Sequence, residues 1–178
     1  MTWFRCGMKK GIDVSEYNSL IDRSVTSVKT SAVNVGVYAF RSCIHLASVI
    51  LYDANIINDY SFAGCRDLTN IQAPMAEYIN GNAFLSCITL EAVSFENVRS
   101  IGSNAFNGCT LLNSITLSRN LKCVLYNANA FSGTQFDTTG TGGTVYVPSD
   151  LVTEYQNDAN WAALLALNAN NRIEAITT

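Results

Sequence analysis

The sequence predicts an α/β solenoid: a right-handed coil with a 22-residue period, one parallel β-sheet and a helical C-terminal cap. Three observations predict it. Phenylalanines recur at 40, 62, 84 and 106, cysteines at 43, 65, 87 and 109, and leucines at 46, 68, 90 and 112, without slippage. Three further columns keep the same register: Val35, Ile57, Ile79, Ile101; Ala39, Ser61, Ala83, Ala105; and Val49, Ile71, Val93, Ile115. The 178 residues are 48% hydrophobic, which suffices to bury a core. A fixed period of this length marks stacked supersecondary units.

The strand of each unit comes first. Val49 and Leu51, or Ile115 and Leu117, are separated by one outward residue, and period two means strand. Strands that recur once per short repeat stack in parallel, about 4.8 Å apart. The returning half carries Ala-Phe-x-x-Cys, so the phenylalanines pile into an aromatic ladder behind small residues. A coil of about 22 residues leaves room for a short 3₁₀ or helical turn there. A fifth, decayed unit follows at Asn129-Ala130-Phe131, where Thr134 replaces cysteine and Thr139 to Thr144 inserts glycines before the strand Val145-Tyr146-Val147.

The pattern I-x-x-x-A-F-x-x-C-x-x-L-x-x-I-x-L, best formed over Ser100 to Leu117, resembles the BspA-type leucine-rich-repeat family of bacterial surface and surface-like proteins. Residues 33 to about 148 carry the resemblance, and the stretch from Val145 to Tyr155 followed by Asn160-Trp161 is similar to the family's closing segment. The resemblance implies a non-enzymatic protein-binding or adhesion module at the cell surface or secreted. A structural or accessory part of a prophage or tail-like assembly is the alternative, motivated by Met1 to Lys10, which lacks the pattern of an export signal.

Solenoid ends need caps. Residues 33–148 form the array and 149–178 the C-terminal cap, in which Ser149 or Asp150 N-caps, Asn157 to Asn160 divides two short helices, and Ile173 and Ile176 return extended. Residues 1–32 are a cap or a degenerate first repeat, with Val25 to Val28 as its strand and Trp3 and Phe4 as candidate covers of the first coil.

A formal net charge of -3, with no basic run beyond Lys9-Lys10, argues against nucleic acid and against a polybasic membrane contact. The longest clean apolar run, Trp161 to Leu167, is far short of the roughly 20 residues that span a bilayer. No cofactor or metal is expected: a cysteine column stacks sulfurs in a line, whereas zinc needs four ligands converging on a point. The column reads as buried free thiols, although a Cys43–Cys65 disulfide is geometrically conceivable; Cys6 and Cys123, outside it, are the more reactive pair. The single histidine, His45, shares its repeat position with Asp67, Thr89 and Leu111 and reads as a surface residue, not a catalytic base.

A protein partner of a monomer would meet the outward side chains of the sheet. These form rows: Ser48, Asn70, Ala92, Ser114, Thr144; then Ile50, Gln72, Ser94, Thr116, Tyr146; then Tyr52, Glu96, Ser118. Five strands make a patch about 20 Å across, so affinity rests on a few anchors, for which Ile50, Tyr52 and Tyr146 are candidates. They also read simply as isolated apolar surface residues.

Overall fold

The computed structural model describes residues 24–137 and 139–177. The expected strands β3 (Ser48–Leu51), β5 (Asn70–Gln72), β7 (Ala92–Phe95), β9 (Ser114–Leu117) and β11 (Thr144–Val147) all form. Their inward residues alternate with outward ones; β9, for instance, buries Ile115 and Leu117. β1 (Ser27–Thr30) and β12 (Arg172–Ala175) extend this layer at its two ends. β1 starts two residues later than the predicted Val25 and pairs in parallel with β3, Ser27 opposite Ser48. β12 pairs in parallel with β11, Ile173 opposite Val145.

One parallel sheet was expected, and the coil carries more. A second set of two-residue strands, β2 (Asn34–Val35), β4 (Ile56–Ile57), β6 (Tyr78–Ile79), β8 (Ser100–Ile101) and β10 (Val124–Leu125), forms a continuous five-stranded sheet on another side. The chain turns a corner after each long strand, and the column of Val35, Ile57, Ile79 and Ile101 then points into the core from this second direction. The long-strand layer is itself divided: β1, β3 and β5 form one sheet, β7, β9, β11 and β12 another. Pro74, just past β5, acts on the other side and shortens the ladder with β3, which has three residue pairs where β1 and β3 have four. Tyr52, at the same place in the preceding coil, donates its N–H to the Thr30 carbonyl at 2.9 Å, and proline has no N–H to give.

The returning segment is a chain of tight turns in the four regular coils and a 3₁₀ helix, Ala128–Phe131, only in the fifth. Two residues per coil adopt the left-handed region, at Tyr38, Tyr60, Asn82, Asn104 and at Ser42, Gly64, Ser86, Gly108. This alternation prevents a helix and directs every second N–H to the next coil: Phe40, Phe62 and Phe84 donate to the carbonyls of Ser61, Ala83 and Ala105 at 2.7, 2.8 and 2.8 Å. A buried backbone must satisfy its donors somewhere, and here neighbouring coils do it. The small residue before each phenylalanine lies at the core floor, and Ser61 is buried as fully as its alanine counterparts.

The aromatic ladder forms as predicted. Rings of Phe40, Phe62, Phe84, Phe106 and Phe131 stack at centroid distances of 5.2, 5.4, 5.2 and 5.5 Å. Phe136 and Trp161 close the stack at the cap. The cap consists of a 3₁₀ turn, Ser149–Leu151, and helices α1 (Val152–Gln156) and α2 (Ala159–Ala166). Neither Ser149 nor Asp150 caps a helix through its side chain; Asp158 does, accepting from the N–H groups of Asn160 and Trp161. The cap also terminates the short-strand sheet. Tyr155 Oη accepts from Cys123 N–H, Trp161 Nε1 donates to the Cys123 carbonyl, and Asn160 Nδ2 donates to that of Leu125. Backbone groups that a further coil would pair are met by side chains. Trp3, Phe4 and Cys6 lie outside the described residues.

Candidate binding face

The outward rows of the long strands are aligned by the register itself. Ser27, Ser48 and Asn70 stand opposite one another on β1, β3 and β5, as do Ala92, Ser114, Thr144 and Arg172 on β7, β9, β11 and β12. The second row runs Lys29, Ile50, Gln72 on one sheet and Ser94, Thr116, Tyr146, Glu174 on the other. Within each sheet the predicted rows are in register, and β1 and β12 lengthen them. Its charged ends, Lys29, Arg172 and Glu174, were not foreseen because strands lying outside the repeat consensus supply them.

Of the three anchor candidates, Tyr52 stands clear of the surface at 49% exposure. Ile50 and Tyr146 are half-buried, each flanked by strands on both sides. Ser114, Thr116 and Ser48 are likewise half-buried, while Asn70, Gln72, Ser94 and Glu96 are exposed. The face is open at its two charged ends and in its middle, where the sheet divides. A cavity of about 500 Å³ lies there, lined by residues of β5 and β7 with Pro74, Glu96 and Thr116.

The short-strand sheet offers a second outward row, Asn34, Ile56, Tyr78, Ser100 and Val124. Leu121, Val124 and Tyr126 at its end are 59%, 53% and 64% exposed. This row was missed, although the residue preceding each inward Val35, Ile57 and Ile79 was a readable sign of it. On the turn side, Tyr38 and Tyr60 stack at 5.1 Å beneath the Arg41 guanidinium.

The thiol column is structural. Cys65, Cys87 and Cys109 carry free thiols that donate to the carbonyls of Phe40, Phe62 and Phe84 at 3.1, 3.2 and 3.1 Å, so a Cys43–Cys65 disulfide is not formed. Burial raises the Cys65 and Cys87 thiols far above the ordinary range. Cys123, expected to be reactive, is equally buried and pushed up to about 12 by desolvation. A thiol that stays protonated is a poor nucleophile. His45 lies on the surface with Nδ1 3.3 Å from Asp67 Oδ2, its repeat equivalent one coil on. Among the described residues, no three His, Cys, Asp or Glu side chains converge as metal ligands, and no helix is long and apolar enough to cross a membrane.

Comparison with known proteins returns the repeat. A family model described as BspA type leucine rich repeat region matches residues 21–150 in six copies. The structure of the pneumococcal vaccine antigen PcpA is similar, with a TM-score of 0.60 and 19% identity over 86% of this chain and 42% of that one. A leucine-rich repeat protein from Bacteroides ovatus ATCC 8483 superposes with a TM-score of 0.58 and 24% identity over 85% of this chain and 36% of its own. A T. pallidum leucine-rich repeat protein, TpLRR, gives 0.54 and 23% identity, covering 68% of this chain and 58% of that one. At these identities the likeness is one of fold. The chain spans less than two thirds of each of these three structures. No curated protein matches it.

Proposed function

Because the chain belongs to the BspA-type leucine-rich-repeat family, whose fold is consistent with a protein-binding module, we propose that it is a non-enzymatic adhesion module of the surface or secreted type, recognising a protein through its long-strand face. One observation carries the reading: among the described residues, seven long strands in two sheets present their outward side chains in rows aligned within each sheet. Such a surface holds one set of side chains per coil and suits an extended contact. The rows are polar and mostly small, which leaves Tyr52, with Ile50 beside it, as the energetic centre. Tyr146 supports the other end.

The test is binding of the purified chain to immobilised extracellular-matrix and epithelial surface proteins, by surface plasmon resonance. The double variant Ile50→Ala/Tyr52→Ala should lose about ten-fold or more in affinity, and Val124→Ala/Tyr126→Ala should lose none. Equal loss in both, or loss only in the second, refutes the assignment of the face.

A further inference from the structure

We propose that the cavity where β5 and β7 part is a binding site for a short, uncharged glycan. Among the described residues, adjacent coils of the long-strand layer pair in register everywhere else, and only between these two strands is the ladder interrupted. The cavity of about 500 Å³ sits on that interruption. Its volume falls in the range of roughly 300–1,000 Å³ that small-ligand sites occupy.

The polar groups around it are unspent. Asn70 and Gln72 on one lip, Ser94 and Glu96 on the other, and Thr116 behind them line the cavity. Among the described residues none of these five side chains has a hydrogen-bond or ion-pair partner. Elsewhere on the solenoid the same residue types are committed between coils: Asn58 donates to the Val35 carbonyl, Asn80 to Asn58, Thr89 to Leu68, and Asn97 to Pro74. Among the described residues Ser48, Ser114 and Thr144 on the same face are unpartnered as well, but only at the gap do two amides, two hydroxyls and a carboxylate line one cavity.

The chemistry selects the ligand class. Primary amides and hydroxyls each donate and accept, which matches ligand hydroxyls that must do both. Glu96 adds a strong acceptor, and no lysine or arginine lines the cavity. An anionic ligand would meet a carboxylate without a compensating cation. A peptide strand cannot enter the gap either, since β4, β6 and β8 remain paired and hold the coils at sheet spacing. Aliphatic parts of Pro74 and the strand floor leave an apolar bed for the C–H face of a sugar ring.

The experiment presents the labelled, purified chain to arrayed neutral, sialylated and sulphated glycans, followed by titration calorimetry with the neutral glycan retained most strongly. Neutral glycans should be captured. The double variant Gln72→Ala/Ser94→Ala should lose at least about ten-fold in affinity, the worth of two hydrogen bonds, while its circular dichroism stays that of the parent. Glu96→Gln should bind more weakly but still prefer neutral glycans. Capture of no neutral glycan, capture of anionic glycans alone, or an undiminished Gln72→Ala/Ser94→Ala variant overturns the proposal. Ile50→Ala/Tyr52→Ala leaves the cavity residues in place and should bind glycan normally, so this site and the protein-binding reading stand or fall separately.

Discussion

Replacing Phe84 with alanine should be among the most damaging single changes in the array. Its ring is fully buried and stacks on Phe62 at 5.4 Å and on Phe106 at 5.2 Å, with interplanar angles of 6° and 3°. A core phenylalanine truncated to alanine costs about 3–5 kcal/mol. Each ring pair contributes about 0.5–1.5 kcal/mol beyond burial, so Phe84→Ala should lie near the top of that range. Phe84→Leu keeps most of the burial, loses both ring pairs, and should cost about 1–3 kcal/mol. Phe40 stacks on Phe62, the next ring of the ladder, so Phe40→Ala should cost less than Phe84→Ala by about one ring pair. Against a total stability of about 5–15 kcal/mol these losses are readily measured. Urea unfolding followed by far-ultraviolet circular dichroism gives the midpoint and slope. A Phe84→Leu penalty below about 0.5 kcal/mol, or a Phe40→Ala penalty exceeding that of Phe84→Ala, would refute the idea that the stack couples coils beyond simple burial.

Further predictions concern the cap, the core floor and the thiols. Asp158→Asn keeps an N-cap for α2 but not the ion pair with Lys122 at 2.8 Å, and should cost under about 1 kcal/mol in urea titrations; Asp158→Ala loses both and should cost about 1–2 kcal/mol. Burial alone would raise the Asp158 carboxyl, but Lys122 and the N–H groups of Trp161 and Asn160 outweigh it and hold it below its ordinary value. Its contribution is therefore present at neutral pH and lost as pH falls below about 4, which acid denaturation of the Asp158→Asn variant should show as a flatter profile. Ser61 Oγ is buried with no hydrogen-bond partner among the described residues, where the other coils place alanine. Ser61→Ala should raise stability by about 1 kcal/mol in thermal unfolding, and a clear loss would mean that the hydroxyl is satisfied. Desolvation lifts the folded thiols above their ordinary 9.0, Cys123 to about 12. The unfolded chain then sheds protons that the folded chain keeps, so stability is full below about pH 9 and falls as pH rises toward 12. Cys123→Ala should reduce that slope, and native Cys65, Cys87, Cys109 and Cys123 should resist iodoacetamide until urea is added.

The aromatic ladder, the long strands and the helical cap were legible because each rests on side chains repeated in a column. Phe40 to Phe106 could not keep a common position without stacking, and Val49/Leu51 and Ile115/Leu117 announce a strand by alternation. The second sheet left a weaker trace. A two-residue strand such as Tyr78–Ile79 has one inward and one outward residue, too few for a period to be counted. The left-handed turns were half-readable: Asn82, Asn104, Gly64 and Gly108 favour that region, whereas Tyr38 and Tyr60 do not and are held there by the coils around them. Asp158 was overlooked as a cap because Ser149 and Asp150 follow the proline at the more obvious boundary. At the candidate face, the rows were readable from alternation, but their accessibility was not. Ile50 and Tyr146 sink between neighbouring strands, and the open middle depends on how β5 and β7 part beside Pro74.

The central claim is that recognition belongs to the long-strand face, and hydrogen exchange on a bound complex tests it most directly. With a protein ligand captured from the matrix panel, amides of β3, β5, β7 and β9 and the Tyr52 corner should gain protection, while those around Leu121, Val124 and Tyr126 should exchange as in the free chain. Protection confined to that short-strand surface, with the long strands unchanged, would contradict the account.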